Sequence, residues 1–142
     1  MSLNRTSGTD VSIRFKTDIN PAEEYEGLRS DETFTYKGKL YEQEDGFFVR
    51  YEDSGAKASI KQKGNTIVVT NAGNAGNRMF FEEGQDTQVL YQTAAGPMEL
   101  TVKTKKAQVL RTTEKIILKL DYKIYMSGKM LSHYAPVIEI IF

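Results

Sequence analysis

KIILKLDYKIYM, residues 115–126, alternates with a period of two. Ile116, Leu118, Leu120, Tyr122, Ile124 and Met126 fall on one face. Lys115, Lys119, Asp121 and Lys123 fall on the other, with Ile117 and Tyr125 as exceptions. Successive side chains of a strand point to opposite faces, so this spacing predicts a long antiparallel strand buried on one side.

The same reading extends outward in both directions. Ser127-Gly128 turns the chain toward a last strand in which Ile138, Ile140 and Phe142 share a face. Upstream, Met98, Leu100, Val102 and Thr104 alternate with Glu99, Thr101, Lys103 and Lys105, and Gly96-Pro97 separates them from a strand over 87–93. Residues 78–82 form a strand before the turn at Gly84. Residues 58–62 and 66–71 form a hairpin around Gly64-Asn65, and Ser54-Gly55 turns the chain before it. Glu44-Asp45-Gly46 is a hairpin signal between strands over 32–43 and 47–53, with Phe47, Val49 and Tyr51 on one face. Gly38, in the middle of its strand, marks a turn, bulge or bend. Val11, Ile13 and Phe15 open the series. Asn20-Pro21 ends that first strand and caps a single helical turn over 21–27, with Glu23 and Glu24 at its start.

About ten short strands joined by hairpin-length links describe an all-β meander with antiparallel pairing. An open sheet of that size leaves two edges exposed, and closure removes them. The expected fold is one all-β domain over 10–142, an antiparallel up-and-down barrel of about 8–10 strands. Residues 1–9 are expected to be a flexible leader, and Met1, Ser2 and Leu3 are consistent with a cloning scar.

Composition bounds the chemistry. The chain has 142 residues and no cysteine, which excludes disulfides, thiolate nucleophiles and zinc–sulfur sites. Nineteen bases balance nineteen acids, which argues against a nucleic-acid binder. No apolar run reaches the ~20 residues that cross a bilayer as a helix, and no secretory signal is visible. The expected location is cytoplasmic, without a membrane or nucleic-acid partner. Charge is uneven: Lys103, Lys105, Lys106, Arg111, Lys115, Lys119, Lys123 and Lys129 gather late, and Glu23, Glu24, Glu26, Asp31, Glu32, Glu42, Glu44 and Asp45 gather early. Solvated strand faces explain this. The sharper reading is a basic patch for an anion or for the acidic patch of a second copy.

The run Gly38-Lys39-Leu40-Tyr41, then Phe48-Val49-Arg50-Tyr51-Glu52-Asp53, Tyr91-Gln92-Thr93-Ala94-Ala95-Gly96, Met98-Glu99-Leu100, Lys103-Thr104 and Leu118-Lys119-Leu120-Asp121-Tyr122 resembles the YwiB-like family. These are small bacterial proteins of unknown function with a calycin-type barrel. The resemblance covers roughly residues 32–128 and implies a calycin- or lipocalin-like barrel in the cytoplasm, with no activity attached. The chain departs from the family pattern at Asn71 before Gly73, where the family tends to have arginine, and at Asp53, where it tends to have glutamate.

No catalytic constellation emerges. His133 is the lone histidine, without a metal-binding or nucleophilic partner in sequence, and reads as a surface or rim residue. The run from Asn71 to Asn77, with Gly73 and Gly76, lacks the flanks of a phosphate loop and reads as a plain loop. Glu52/Asp53 and Glu82/Glu83 are sequence neighbours that point to opposite faces, so neither pair flanks one substrate. Tyr51, Tyr91, Thr93, Thr104 and Tyr122 share the parity of the apolar faces and are expected to point inward. Inward hydroxyls need partners, either one another or a ligand. The expectation is therefore a non-catalytic barrel, with no cofactor and no metal, that holds a small amphipathic molecule against these five residues in its lumen. The alternative is an interaction module working through a homodimer or partner interface, motivated by outward Ile117 and Tyr125. An enzyme ranks third.

Overall fold

The structure is a computed structural model and describes residues 8–18, 31–53, 55–71 and 77–142. The described residues form eleven strands in one sheet: β1 (Thr9–Asp18), β2 (Asp31–Gln43), β3 (Gly46–Asp53), β4 (Ala56–Lys63), β5 (Thr66–Asn71), β6 (Asn77–Glu82), β7 (Asp86–Thr93), β8 (Gly96–Arg111), β9 (Lys115–Met126), β10 (Lys129–Tyr134) and β11 (Val137–Ile141). Every ladder is antiparallel. The order is β6-β5-β4-β3-β2-β1-β11-β9-β8-β7, with β10 also paired to β9. First and last strands meet, so the meander curls into a nearly closed barrel. β10 and β11 both run along β9 and act as one strand interrupted at Pro136, which has no N–H to donate. Between β6 and β7 a side-chain bond from Thr87 Oγ1 to the Phe80 carbonyl, 3.0 Å, takes the place of a ladder.

The period-two readings place the core. Val11, Ile13, Leu40, Phe47, Val49, Ile60, Ile67, Phe81, Val89, Val102, Ile116, Leu118, Leu120, Ile138 and Ile140 form one buried cluster. Two bulges interrupt the parity. Between Thr104 and Lys106 one extra residue enters β8, so inward positions change from Leu100, Val102 and Thr104 to Ala107 and Val109, while Lys103, Lys105 and Lys106 all stay exposed. The strand thereby runs on to Arg111. A second irregularity, at Leu131, restores register so that Tyr134 lies opposite Tyr122.

Several expectations are corrected. The ladder passes through Gly38 without a register shift. A Cβ there would stand 2.4 Å from the Arg50 carbonyl and 2.6 Å from Ile13, so the glycine serves close approach. Gly46 likewise begins β3, where a Cβ would fall 1.7 Å from the Gln62 carbonyl, and the turn itself is Glu44-Asp45. Pro97 lies inside β8, opposite Gln92, rather than ending a strand. Phe142 follows the last strand and is exposed, and Lys115 is half-buried by a bond to Glu139. Ile117 and Tyr125 are half-buried; Lys103 Nζ lies 4.9 Å from the Tyr125 ring centre. The helical turn over 21–27 and the loop core over 72–76 fall outside the described residues, as does the leader 1–9 apart from Gly8 and Thr9.

The barrel has two dissimilar ends. At the base lie Glu44-Asp45, Gly64-Asn65, the Glu83–Gln85 turn and the β8–β9 connection. The tail of β8 reaches across this end. Arg111 bonds Glu42 at 2.9 and 3.3 Å and lies 5.9 Å from the Phe47 ring centre, while Ala107 and Val109 face the β4–β5 turn across a hollow of about 190 Å³. The other end, called the mouth below, carries the connections that follow β3, β7 and β9.

A tyrosine-lined upper lumen as candidate functional site

Hydroxyl-bearing side chains enter the inward face from mid-height to the mouth, interspersed with the aliphatic Val89, Leu100, Val102 and Ile124. On the wall made by β1, β2 and β3, register sets Ile13 opposite Tyr36 and Gly38 opposite Tyr51. Phe15, Tyr36 and Tyr51 form a ring cluster with centroids 5.7, 5.7 and 5.2 Å apart. Tyr36 donates its hydroxyl to Asp53, which follows Tyr51 on the same face of β3. Burial raises the Tyr36 pKa most, and the charge and hydrogen bond of Asp53 raise it further. Tyr51 is pushed strongly up, first by burial and then by Tyr36 and Asp53. Both phenols are therefore neutral donors across the physiological range.

The facing wall comes from β6 to β10. Tyr122 packs 4.5 Å from Phe81 and 5.5 Å from Tyr134, centroid to centroid. Its pKa is raised strongly, by burial first and then by Tyr134 and Tyr91. Thr104 lies opposite Tyr122 in the ladder and is 3% exposed, and among the described residues its hydroxyl has no hydrogen-bond partner. A buried hydroxyl left in that state costs about 1–3 kcal/mol.

Of the five expected lumen residues, Tyr91, Thr104 and Tyr122 gather on this second wall, and Tyr51 lies on the first. Thr93 is committed elsewhere. Its hydroxyl donates to the Gly96 carbonyl at 2.6 Å and accepts from the Ala95 N–H at 3.2 Å, so it braces the β7–β8 turn. Phe15, Tyr36, Asp53, Phe81 and Tyr134 were missed. Parity alone would have found Tyr36, which alternates with Leu40, and Asp53, which alternates with Phe47 and Val49. Tyr134 was hidden by the irregularity at Leu131.

The outer surface is occupied by charge pairs. His133 Nε2 meets Asp121 Oδ1 at 2.6 Å, both half-buried. Lys103 pairs with Asp86, and Glu139 gathers Arg14, Lys16 and Lys115 at 3.5, 3.5 and 2.6 Å. Glu82 accepts from Thr66, and Glu83 accepts from the Ala107 N–H at the β8 bulge. No group of three His, Cys, Asp or Glu suited to a metal occurs among the described residues, and no described helix is long and apolar enough to cross a membrane.

A family described as a domain of unknown function (DUF1934) matches residues 13–138. No curated protein matches the chain. In fold the chain is similar to the crystal structure of the ywiB protein from Bacillus subtilis, at 20% identity and a TM-score of 0.75, over 94% of this chain and 91% of that one. At that identity the likeness speaks to fold alone.

Proposed function

The chain belongs to the DUF1934 family, and from that premise we propose a non-catalytic, calycin-like barrel that takes a small amphipathic molecule into the upper half of its lumen. The observation that carries this reading is Thr104: a hydroxyl 3% exposed, unpartnered among the described residues, on the wall that holds Tyr91 and Tyr122. A ligand oxygen or amine would satisfy it, and the tyrosine rings would supply apolar area with directed hydroxyls. The inward groups are phenols, alcohols and a carboxylate tied to Tyr36, which suits binding rather than acid–base turnover. The cysteine-free sequence makes the cytoplasm the compartment this reading assumes. The test is a screen of short-chain amphiphiles by thermal shift and nuclear magnetic resonance. A binder should perturb Tyr91 and Tyr122, and Thr104→Val should weaken it. Binding unaffected by Thr104→Val and by Tyr122→Phe would remove the lumen from consideration.

A second reading, an interface between two copies, draws on β10. Among the described residues this strand ladders only with β9, and Met130 and Leu131 are 38% and 47% exposed on it. A strand edge of this kind can pair with its own copy. Light scattering that gives a dimer mass, reduced to a monomer by Leu131→Lys, would favour it.

A further inference from the structure

The ion pairs described above lie on β1 and on β7 to β11. The outer face of β2 to β6 is built differently. Lys37, Arg50, Lys57, Lys61, Lys63 and Arg78 are exposed on it, and none of them has an ion-pair partner among the described residues. Lys39, tied to Asp10 at 2.8 Å, marks its border with β1. Among the described side chains of this face the acids are Glu52, opposite Lys57 in the ladder, and Glu82, which accepts from Thr66. Nineteen bases and nineteen acids cancel over the whole chain, and that balance argues against a nucleic-acid partner. A phosphate, however, meets the field of one face and not the total. Folding has collected on β2 to β6 a basic surface that the sum conceals.

Ladder registers sort this face into two rows that cross the strands. Arg50, Ser59, Thr70 and Arg78 stand opposite one another in turn on β3, β4, β5 and β6. Two residues nearer the base, Tyr41, Phe48, Lys61, Val68 and Phe80 do the same from β2 to β6. By strand geometry the rows lie about 7 Å apart, and neighbours within a row about 5 Å. The Tyr41 and Phe48 ring centres are 6.2 Å apart, and Phe80 is 38% exposed. The Arg50 guanidinium lies 5.3 Å from the Tyr41 ring centre and donates to its hydroxyl at 2.8 Å, so the ring holds it at the surface. We propose that this face binds single-stranded RNA, its backbone crossing the β-strands with phosphates along the Arg50–Arg78 row and bases laid on the aromatic row. Cations meet phosphates whatever the sequence, and every base has a π-face that a ring can stack on. A duplex keeps its bases stacked inside and offers the rings nothing, which selects a single strand. Ser59 and Thr70, between the two arginines, carry hydroxyls able to donate to or accept from a 2′-hydroxyl, which selects RNA over DNA. This site is separate from the lumen and stands or falls without it.

The probe is a fluorescein-labelled oligouridylate of about eight nucleotides, within the span that such platforms cover, titrated into the full chain and read by anisotropy. Affinity should fall as salt rises, with a log–log slope of about −0.7 for each phosphate met. Arg78→Gln and Lys61→Gln should each weaken binding and reduce that slope by about one phosphate's share. Phe80→Ala should weaken binding about fivefold or more with the slope unchanged, because a stacked base is lost and no charge is. Should Phe80→Ala fail to fold, Phe80→Tyr and Arg78→Gln replace it: the first should keep the affinity and the second should lose it. Lys119→Gln, an exposed cation on β9 outside this face, should leave binding unchanged. Equal binding of oligodeoxyuridylate of the same length overturns the assignment to RNA. Polyglutamate that binds as tightly and with the same salt slope, or a loss at Lys119→Gln equal to that at Arg78→Gln, reduces the face to general attraction for polyanions and overturns the site. Anionic phospholipid vesicles that bind while the RNA does not overturn it too, as does the absence of RNA binding at low salt.

Discussion

The two halves of the lumen share one set of ladders and one parity, yet they are filled differently. The base-side half is apolar: Phe47, Val49, Ile60, Ile116, Leu118 and Ile140 are fully buried, and Arg111 and the tail of β8 close it from below. The mouth-side half mixes the buried Val89, Leu100 and Val102 with Tyr36, Tyr51, Asp53, Tyr91, Thr104, Tyr122 and Tyr134. In the first half the buried side chains are apolar and ask for no polar partner. In the second, polar groups have been taken inside and only some of them find one another. Backbone geometry sets which residues face in. The choice between an alkyl group and a hydroxyl at those positions then separates a half that stabilises the barrel from a half able to recognise something.

Substitutions can break that contrast, beginning with the greatest effect. Phe47→Ala should destabilise by about 3–5 kcal/mol, and Leu120→Ala by about 2–5, because each empties a well-packed site; chemical denaturation measures both. A loss below ~0.5 kcal/mol at either would mean that the base-side half is not the packed one. Gly46→Ala should cost about 1–3 kcal/mol, since the added methyl meets the Gln62 backbone carbonyl, which has no rotamer with which to give way. A smaller effect belongs to Glu139, outside the lumen. Its carboxyl is held below the ordinary glutamate value of 4.5, mainly by the Lys115 hydrogen bond, against the opposing effect of burial. Its native pKa is lower than its unfolded one, so its contribution is complete above about pH 4.5 and is lost as pH falls through the depressed native value. The contribution is about 1 kcal/mol or less, because its three partners are one-third to one-half exposed and solvent screens them. Glu139→Gln should flatten melting temperature against pH in that window. The smallest change in stability is expected at Thr104→Val, between neutral and about 1 kcal/mol stabilising, since it removes an unpartnered buried hydroxyl at nearly constant shape. A clear destabilisation there would show that Thr104 already has a partner and that the two halves are less distinct than described.

The strands were legible in the sequence because a half-buried strand writes its facing into alternation, and β9 does so over its full length. The hidden features were those that break alternation by one residue. The bulge beside Thr104 moves the inward set to Ala107 and Val109, and the irregularity at Leu131 brings Tyr134 to face Tyr122. No local composition announces either, because each is required by the partner strand. Glycines were recognised as special, but at Gly38 and Gly46 the reason lies across the ladder, in Arg50 and Gln62. Tyr51, Tyr91, Thr104 and Tyr122 could be proposed as inward from parity. That Tyr51 stands with Phe15 and Tyr36 apart from the other three, and that Thr93 is spent on a turn, follows from registers between distant strands, which a single sequence does not display.

The pairing of β1 with β11 has a kinetic consequence. The other ladders join strands that follow one another closely in the chain, whereas Arg14 and Glu139, brought together by this one, are 125 residues apart. Its loop-closure entropy must be met before its contacts give anything back, so it is expected to form late, with the molecule passing through an uncurled sheet whose apolar side is still wet. Lesions along β11, such as Ile140→Ala, should then leave the refolding rate nearly untouched and hasten unfolding instead, which makes the lifetime of the native barrel a property of its last strand.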